Sequence, residues 1–294
     1  MATLRELKGR IGSVASSEKI TGAMKMISSA KMHKAELSLK RLLPFRSQIE
    51  SIIGNLLTAD ADFTSPLTET REVRNVSIVV FGSDDGLCGA YNVNIFKQLR
   101  ARMAALREKF GSDITFDIYP VGAKMVKIVG KMKDASLRTV RVEPQVDSKT
   151  TGDGVKIFCE KRQRRFLASE TDRVELLYMK FLSAGRQRPQ SDALLPVTED
   201  TFRGADVKEQ CRPYIFEPDA NTIFRSVLPM FLMAVTQEVF TENRASEQAA
   251  RVMAMQSAND NAKKLLEQLR LEYNKLRQQS ITTELLDILG GQVR

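Results

Sequence analysis

The chain has 294 residues, 43 % of them apolar, which is enough for one large domain or two modest ones with a filled core and excludes a disordered tail. Its 45 basic and 36 acidic residues leave a formal charge of +9, suited to nucleic acid, an anionic membrane surface or acidic protein partners without choosing among them. Aromatics are only 6 % and Trp is absent, which argues against the stacking platforms of nucleic-acid binders.

Cys88, Cys159 and Cys211 lie far apart, with no zinc-site spacing and no disulfide framework, so a reducing compartment is expected. The N-terminus lacks the apolar core of a signal peptide, and no stretch reaches the roughly 18 uninterrupted apolar residues of a membrane span. Glu6 and Glu18 argue against a transit peptide. The expectation is a bacterial cytoplasmic chain, soluble or peripheral to a membrane.

In chain order, the spacing first predicts a helix from Leu4 to about Leu43, with an apolar stripe at Leu4, Leu7, Ile11, Val14, Thr21, Met24 and Ile27. Glu18 falls on that stripe, and Gly9, Gly12 and Gly22 each cost a helix about 1 kcal/mol relative to alanine. Such a helix needs tertiary packing, which the small residues Ala15, Ser28 and Ala30 would permit at close range.

The middle alternates: a strand at Val76–Phe81, a Gly-rich turn, a helix at Val93–Phe110, a strand at Ile114–Val121 and a helix at Ala123–Met132. A strand at Leu137–Val142, a helix at Val155–Leu167 and a strand at Val174–Leu182 follow. This order implies an α/β sheet domain. Ala184 to Pro218, with Pro189, Pro196, Pro213 and Pro218, reads as edge strand or loop.

From Met230 to Leu289 there is neither Pro nor Gly, a run that as helix would be about 90 Å long. Val252, Met255, Asn259, Ala262, Leu266, Leu269, Tyr273, Leu276, Ser280 and Thr283 follow in strict steps of three and four, the heptad spacing of a coiled coil. Asn259 and Ser280 would lower stability there but fix register. The predicted class is therefore α/β: an antiparallel coiled coil of the N- and C-terminal helices plus a central Rossmann-like α/β domain. The expected divisions are 1–57, 73–218 and 220–290. A long amphipathic helix on a globular body is the alternative.

The loop Gly82-Ser83-Asp84-Asp85-Gly86-Leu87-Cys88-Gly89 sits where nucleotide-binding folds place a phosphate cradle, but no Lys-Ser or Lys-Thr pair follows and the dinucleotide glycine spacing is absent. It reads as a structural turn. Cys88 has no nameable base partner and reads as a small buried cysteine. His33, the only histidine, cannot build a metal centre or a triad and should lie on a solvated face beside Lys31 and Lys34. The run Lys161-Arg162-Gln163-Arg164-Arg165 could meet phosphate or an acidic partner, but on a helix it reads as a solvated face. Scattered carboxylates offer no acid/base pair, and no cofactor is predicted.

Several motifs together resemble one family. Lys19-Ile20-Thr21 through Ala23-Met24-Lys25-Met26-Ile27 and Ser29-Ala30-Lys31-Met32 closely resemble the γ subunit of F-type ATP synthases. So do Ser83-Asp84, Gly86-Leu87-Cys88-Gly89 and Tyr91-Asn92 in the middle, and Ser246-Glu247-Gln248-Ala249-Ala250-Arg251, Met253-Ala254-Met255 and Asn261-Ala262 toward the end. Asn274, Arg277-Gln278, Ile281-Thr282 and Glu284-Leu285 match the closing motif. The terminal Gly290-Gly291-Gln292-Val293-Arg294 departs from the usual ending, and Asp287 stands where Glu is usual.

The resemblance implies a central-stalk rotor without catalytic residues of its own, which couples proton flow to rotary ATP synthesis or hydrolysis. Three α and three β subunits would surround one copy, with the ε subunit and the c-subunit ring as further partners. It implies contacts with the α/β ring at Met24, Arg277, Gln278, Thr282 and Glu284, and an apolar bearing tip of Ile281, Leu285, Leu286, Ile288 and Leu289. It implies a c-ring and ε contact at Tyr214, Phe216 and Glu217. Location would be the cytoplasmic side of the bacterial inner membrane, with membrane association only through the complex and no nucleic acid. No cysteine pair of the redox-regulated plant type is present. The alternatives are a nucleotide-binding α/β enzyme built on the Gly82–Gly89 loop, and a coiled-coil adaptor for nucleic acid or membrane.

Overall fold

The structure is a computed structural model that describes residues 3–57, 63–198 and 216–291. Two compact units divide it: Met1–Ser29 with Arg251–Arg294, and Ala30–Ala250. Two helices, α1 (Leu4–Leu57) and α5 (Ala220–Gly291), supply segments to both.

The first unit pairs the start of α1 with the end of α5. Along α1 the inward residues are Leu4, Leu7, Ile11, Val14, Glu18, Thr21, Lys25 and Ser28, an unbroken alternation of three and four. The expected stripe fails at its last position: after Thr21, Met24 and Lys25 are both half-buried and the next buried residue is Ser28, while Ile27 is 55 % exposed. Ala30 also faces out. In α5, Met255, Asn259, Leu266 and Leu269 are buried, and Val252, Ala262, Tyr273, Leu276 and Ser280 are half-buried. The seam ends there, because Thr283 is exposed.

Asn259 fixes the register. Its Nδ2 donates to the Glu18 carbonyl at 2.7 Å and to Thr21 Oγ1 at 3.3 Å. Gly22 lies opposite, where an added Cβ would come within 3.3 Å of the same Nδ2. A groove joins Glu18 to Lys263, Leu266, Glu267 and Arg270. Going back along α1 from Gly22 to Glu18 therefore goes forward along α5, so the pair is antiparallel.

The second unit is a three-layer α/β domain. Its sheet has the order β3-β2-β1-β4-β5, from β1 (Asn75–Phe81), β2 (Thr115–Val121), β3 (Leu137–Val140), β4 (Arg173–Ser183) and β5 (Arg186–Leu195). The first four strands run parallel, and β5 pairs antiparallel to β4 at the edge. Pro189 sits within β5 opposite Met179, which an edge strand tolerates because its outer amides need no ladder partner.

Helices α2 (Tyr91–Phe110) and α3 (Ala123–Val129) cover one face through Ile95, Leu99, Met103, Met125 and Val129. The other face is covered by α4 (Asp153–Leu167), the later half of α1 and the early half of α5. There Ile53, Leu56, Phe158, Phe231 and Phe240 are buried, with Phe240 edge-on to both Phe81 and Phe158. This packing carries α1 past Pro44, beyond the expected stop near Leu43. It also absorbs the most apolar stretch of α5, which by length and composition could cross a membrane but is half buried here.

The basic run on α4 is not the solvated face its composition suggested. Arg162 is 2 % exposed, pairs with Glu143, and lies over the rings of Tyr119 and Phe158 at 3.8 and 4.7 Å. Arg165 reaches Asp117 at 3.0 Å and Glu170 at 2.7 Å. Lys161 and Arg164 remain exposed, whereas Arg162 and Arg165 are drawn in by carboxylates from the segment after β3 and from β2. His33 faces outward as its setting suggested.

Candidate functional site

The Gly82–Gly89 loop leaves β1 at the sheet's switch point, where α/β folds commonly bind ligands. Here the chain's own groups use its hydrogen-bonding capacity. Asn92 Oδ1 accepts the Ser83 amide at 3.0 Å, and Asn92 Nδ2 donates to Ser83 Oγ at 2.7 Å. Ser83 Oγ donates to the Asp85 carbonyl at 2.8 Å. The Asp84 carboxylate accepts the first amide of α3, from Ala123, at 2.9 Å and takes Ser148 Oγ at 2.6 Å. From α5, Asn243 Nδ2 donates to the Gly82 carbonyl at 3.1 Å, and the Tyr91 hydroxyl donates to Asn243 Oδ1 at 2.6 Å.

Space agrees with this reading. A Cβ on Gly82 would stand 2.6 Å from Met125 Cβ, and one on Gly122, whose φ is +97°, would stand 2.9 Å from the Ser83 carbonyl carbon. Cys88 is buried, with Asn92 Nδ2 at 3.5 Å from its sulfur. The loop is thus a staple holding β1, α2, α3 and α5 together. Asn243 went unnoticed in the sequence, where it stands among Thr241, Glu242, Arg244 and Ser246 with nothing to single it out. Among the described residues no group of His, Cys, Asp and Glu is placed to hold a metal ion.

The ring-contact and tip residues expected from the sequence lie on the first unit. Arg277, Ile281, Glu284 and Ile288 share one face of α5 by helical spacing, and Gln278, Thr282, Leu285 and Leu289 share the next. All are exposed; Thr282 Oγ1 is turned back on the Gln278 carbonyl at 2.9 Å. Ile281, Leu285, Leu286, Ile288 and Leu289 are 48 to 63 % exposed, five large apolar side chains within nine positions. Such density exceeds the scattered apolar residues of an ordinary surface. Met24 is half-buried at the edge of the seam. The sequence reading missed that Ile20, Met26 and Ile27 on α1 and Leu271 on α5 also point outward. Phe216 packs against the core of the second unit and Glu217 is exposed, whereas Tyr214 lies outside the described residues.

The model of the ATP synthase family matches residues 3–293. The chain is 40 % identical over 304 residues to the ATP synthase gamma chain of Bacteroides fragilis and 38 % identical over 296 residues to that of Phocaeicola vulgatus, each alignment covering the whole of both proteins. Among solved structures it is similar to a chain of the Euglena gracilis mitochondrial ATP synthase OSCP/F1/c-ring assembly, with a TM-score of 0.63 and 19 % identity over 99 % of this chain and 93 % of that one. A chain of the Euglena gracilis rotor gives 0.59 at 18 % identity, over 95 % of this chain and 98 % of that one. The structural likeness supports the fold, two long helices on a mixed sheet. With identity of this extent over its full length, the chain belongs to the gamma-chain family of the ATP synthases.

Proposed function

We propose that this chain, the central-stalk subunit of an F-type ATP synthase, transmits torque through its coiled coil while making different contacts with chemically identical catalytic neighbours. The subunit is non-catalytic, and the complex is membrane-associated. Its partners are one ring of three α and three β subunits, the ε subunit and the c-subunit ring. The strands of the shaft are 1–57 and 220–290, and the α/β domain is 73–218. Met24, Arg277, Gln278, Thr282 and Glu284 face the α/β ring. Ile281, Leu285, Leu286, Ile288 and Leu289 form the bearing, where apolar contact resists turning less than directional hydrogen bonds would. Tyr214, Phe216 and Glu217 meet the c-ring and ε, and the chain sits peripherally on the cytoplasmic side of the bacterial inner membrane.

The observation that carries the reading is the concentration of exposed apolar side chains at the end of α5, next to an exposed polar set one to three turns earlier. An asymmetric shaft of this kind can bias each identical site toward a different nucleotide affinity, and rotation then exchanges the states. Native mass spectrometry of the complex purified on a tagged copy tests it. One copy with three each of two larger nucleotide-binding chains is expected; a free chain or a homo-oligomer carrying nucleotide would overturn it.

A further inference from the structure

The chain's surplus of positive charge is concentrated in one layer of the α/β domain. Helices α2 and α3 and the turn 130–133 after them contain nine basic residues and a single acidic one, Glu108. They carry a formal +8 of the chain's +9, so the rest of the molecule is close to neutral. Two of the nine are used internally: Arg102 grips the buried Glu175 through Nε and Nη2, both at 2.7 Å, and Arg107 pairs with Asp134. Lys97, Arg100, Lys124, Lys127, Lys131 and Lys133 are exposed and form no ion pair among the described residues.

Helical spacing puts these cations on one side. In α2, Ile95, Leu99, Met103 and Leu106 pack on the sheet, which turns Lys97, Ala101, Ala104 and Glu108 to solvent; in α3, Met125 and Val129 go inward, and Lys124 and Lys127 outward. Both helices cover the same face of the sheet and touch each other, so their outer sides form one surface.

Nucleic acid, an acidic protein and an anionic bilayer could each meet such a surface, and its chemistry favours the last. No aromatic residue on these elements is exposed, so bases would find nothing to stack on. A protein partner is ordinarily anchored by large apolar side chains and arginine. Here Val93 is the one large apolar side chain exposed, and Ala101, Ala104 and Ala105 fill the space between the charges of α2. Five of the six free cations are lysines, compact hydrated charges suited to diffuse attraction, whereas the two-pronged pairing that arginine favours is turned inward at Arg102.

We propose that the α2–α3 face is an electrostatic docking surface for an anionic lipid bilayer. Clusters of this size on a helical surface are drawn to negatively charged headgroups within a screening length. Because the headgroups of a fluid bilayer offer no fixed partner atom, the attraction holds the domain near the surface without setting its angle about the membrane normal. The inference rests on the chain's own charge distribution and is independent of the ring contacts proposed above.

The test is cosedimentation of the full chain with vesicles of phosphatidylcholine, alone or containing phosphatidylglycerol at about 30 %. Affinity for the anionic vesicles should be about tenfold or more higher at about 0.1 M salt, and the difference should vanish near 1 M, where the screening length is about 3 Å. The exposed apolar tip of α5 acts equally on both vesicle types, so the difference isolates charge. Lys97→Glu, Lys127→Glu and Lys131→Glu together should bring binding down to the neutral-vesicle level. Lys31→Glu, Lys34→Glu and Lys264→Glu, which change the net charge equally at exposed sites elsewhere, should retain most of it. Equal affinity of the wild type for the two vesicle types, or equal losses in the two triple variants, would overturn the proposal. So would loss of an acidic subunit from the complex of the first triple variant in native mass spectrometry with its vesicle binding unchanged, which would assign the face to a protein partner.

Discussion

Asn243 satisfies groups from two other elements at once, the carbonyl at the end of β1 and the hydroxyl at the start of α2. Asn243→Leu leaves the Gly82 carbonyl without that donor and the Tyr91 hydroxyl without its shorter acceptor contact, in a site closed to water. A buried unsatisfied group costs about 1 to 3 kcal/mol, so a loss of about 2 to 4 kcal/mol is expected. Urea unfolding of the full chain measures it, and a loss under about 0.5 kcal/mol would contradict the staple. At this scale the sequence was partly legible. The loop's failure to match phosphate-binding patterns pointed correctly to a structural turn. The burial of Arg162 was not legible, because whether a basic run meets water or carboxylates depends on the fold that brings Glu143 and Asp117 beside it.

Among the elements, legibility followed periodicity. The seam of α5 was readable as far as Ser280, since nine positions in heptad spacing leave little freedom in which face turns inward. The stripe of α1 went astray at Ile27, where an apolar residue outside the three-four alternation was taken for one inside it. Proline misled in a different way. Pro44 marked a plausible helix end, but Ile49, Ile53 and Leu56 bury enough apolar surface to carry the helix past it. The seam supports a paired prediction. Leu269 is buried and Leu271, two residues on, is 67 % exposed. Leu269→Ala should destabilise the isolated chain by about 2 to 4 kcal/mol, and Leu271→Ala by less than about 0.5 kcal/mol. Equal effects in denaturant titrations followed by circular dichroism would show that the seam has been drawn through the wrong face.

For the whole molecule, the decisive distinction is between holding an assembly together and transmitting work within it. Met24 is half-buried at the edge of the coiled-coil seam, where a longer side chain with a charge can emerge without displacing Leu7 or Leu266 from the packed face. Met24→Lys should therefore leave the fold intact. In the proposed contact of Met24 with the α/β ring, an ammonium that pairs with a partner carboxylate would form a contact that one rotary position must break before the next is reached, and the extra attraction acts on movement more than on association. The expected result is a complex of normal stoichiometry in which protons pumped per ATP hydrolysed fall well below the wild-type ratio, measured by coupled hydrolysis and fluorescence-quench assays on vesicles. An unchanged ratio would remove Met24 from the coupling path. Arg277→Ala separates the two ends of the shaft: exposed on α5 about one turn before the first residue of the apolar tip, it should slow steady-state hydrolysis by the whole complex while the pumping ratio stays normal. Unchanged turnover would refute its contact with the ring. The two variants together distinguish a side chain that holds the catalytic cycle to its steps from one that ties those steps to the proton path.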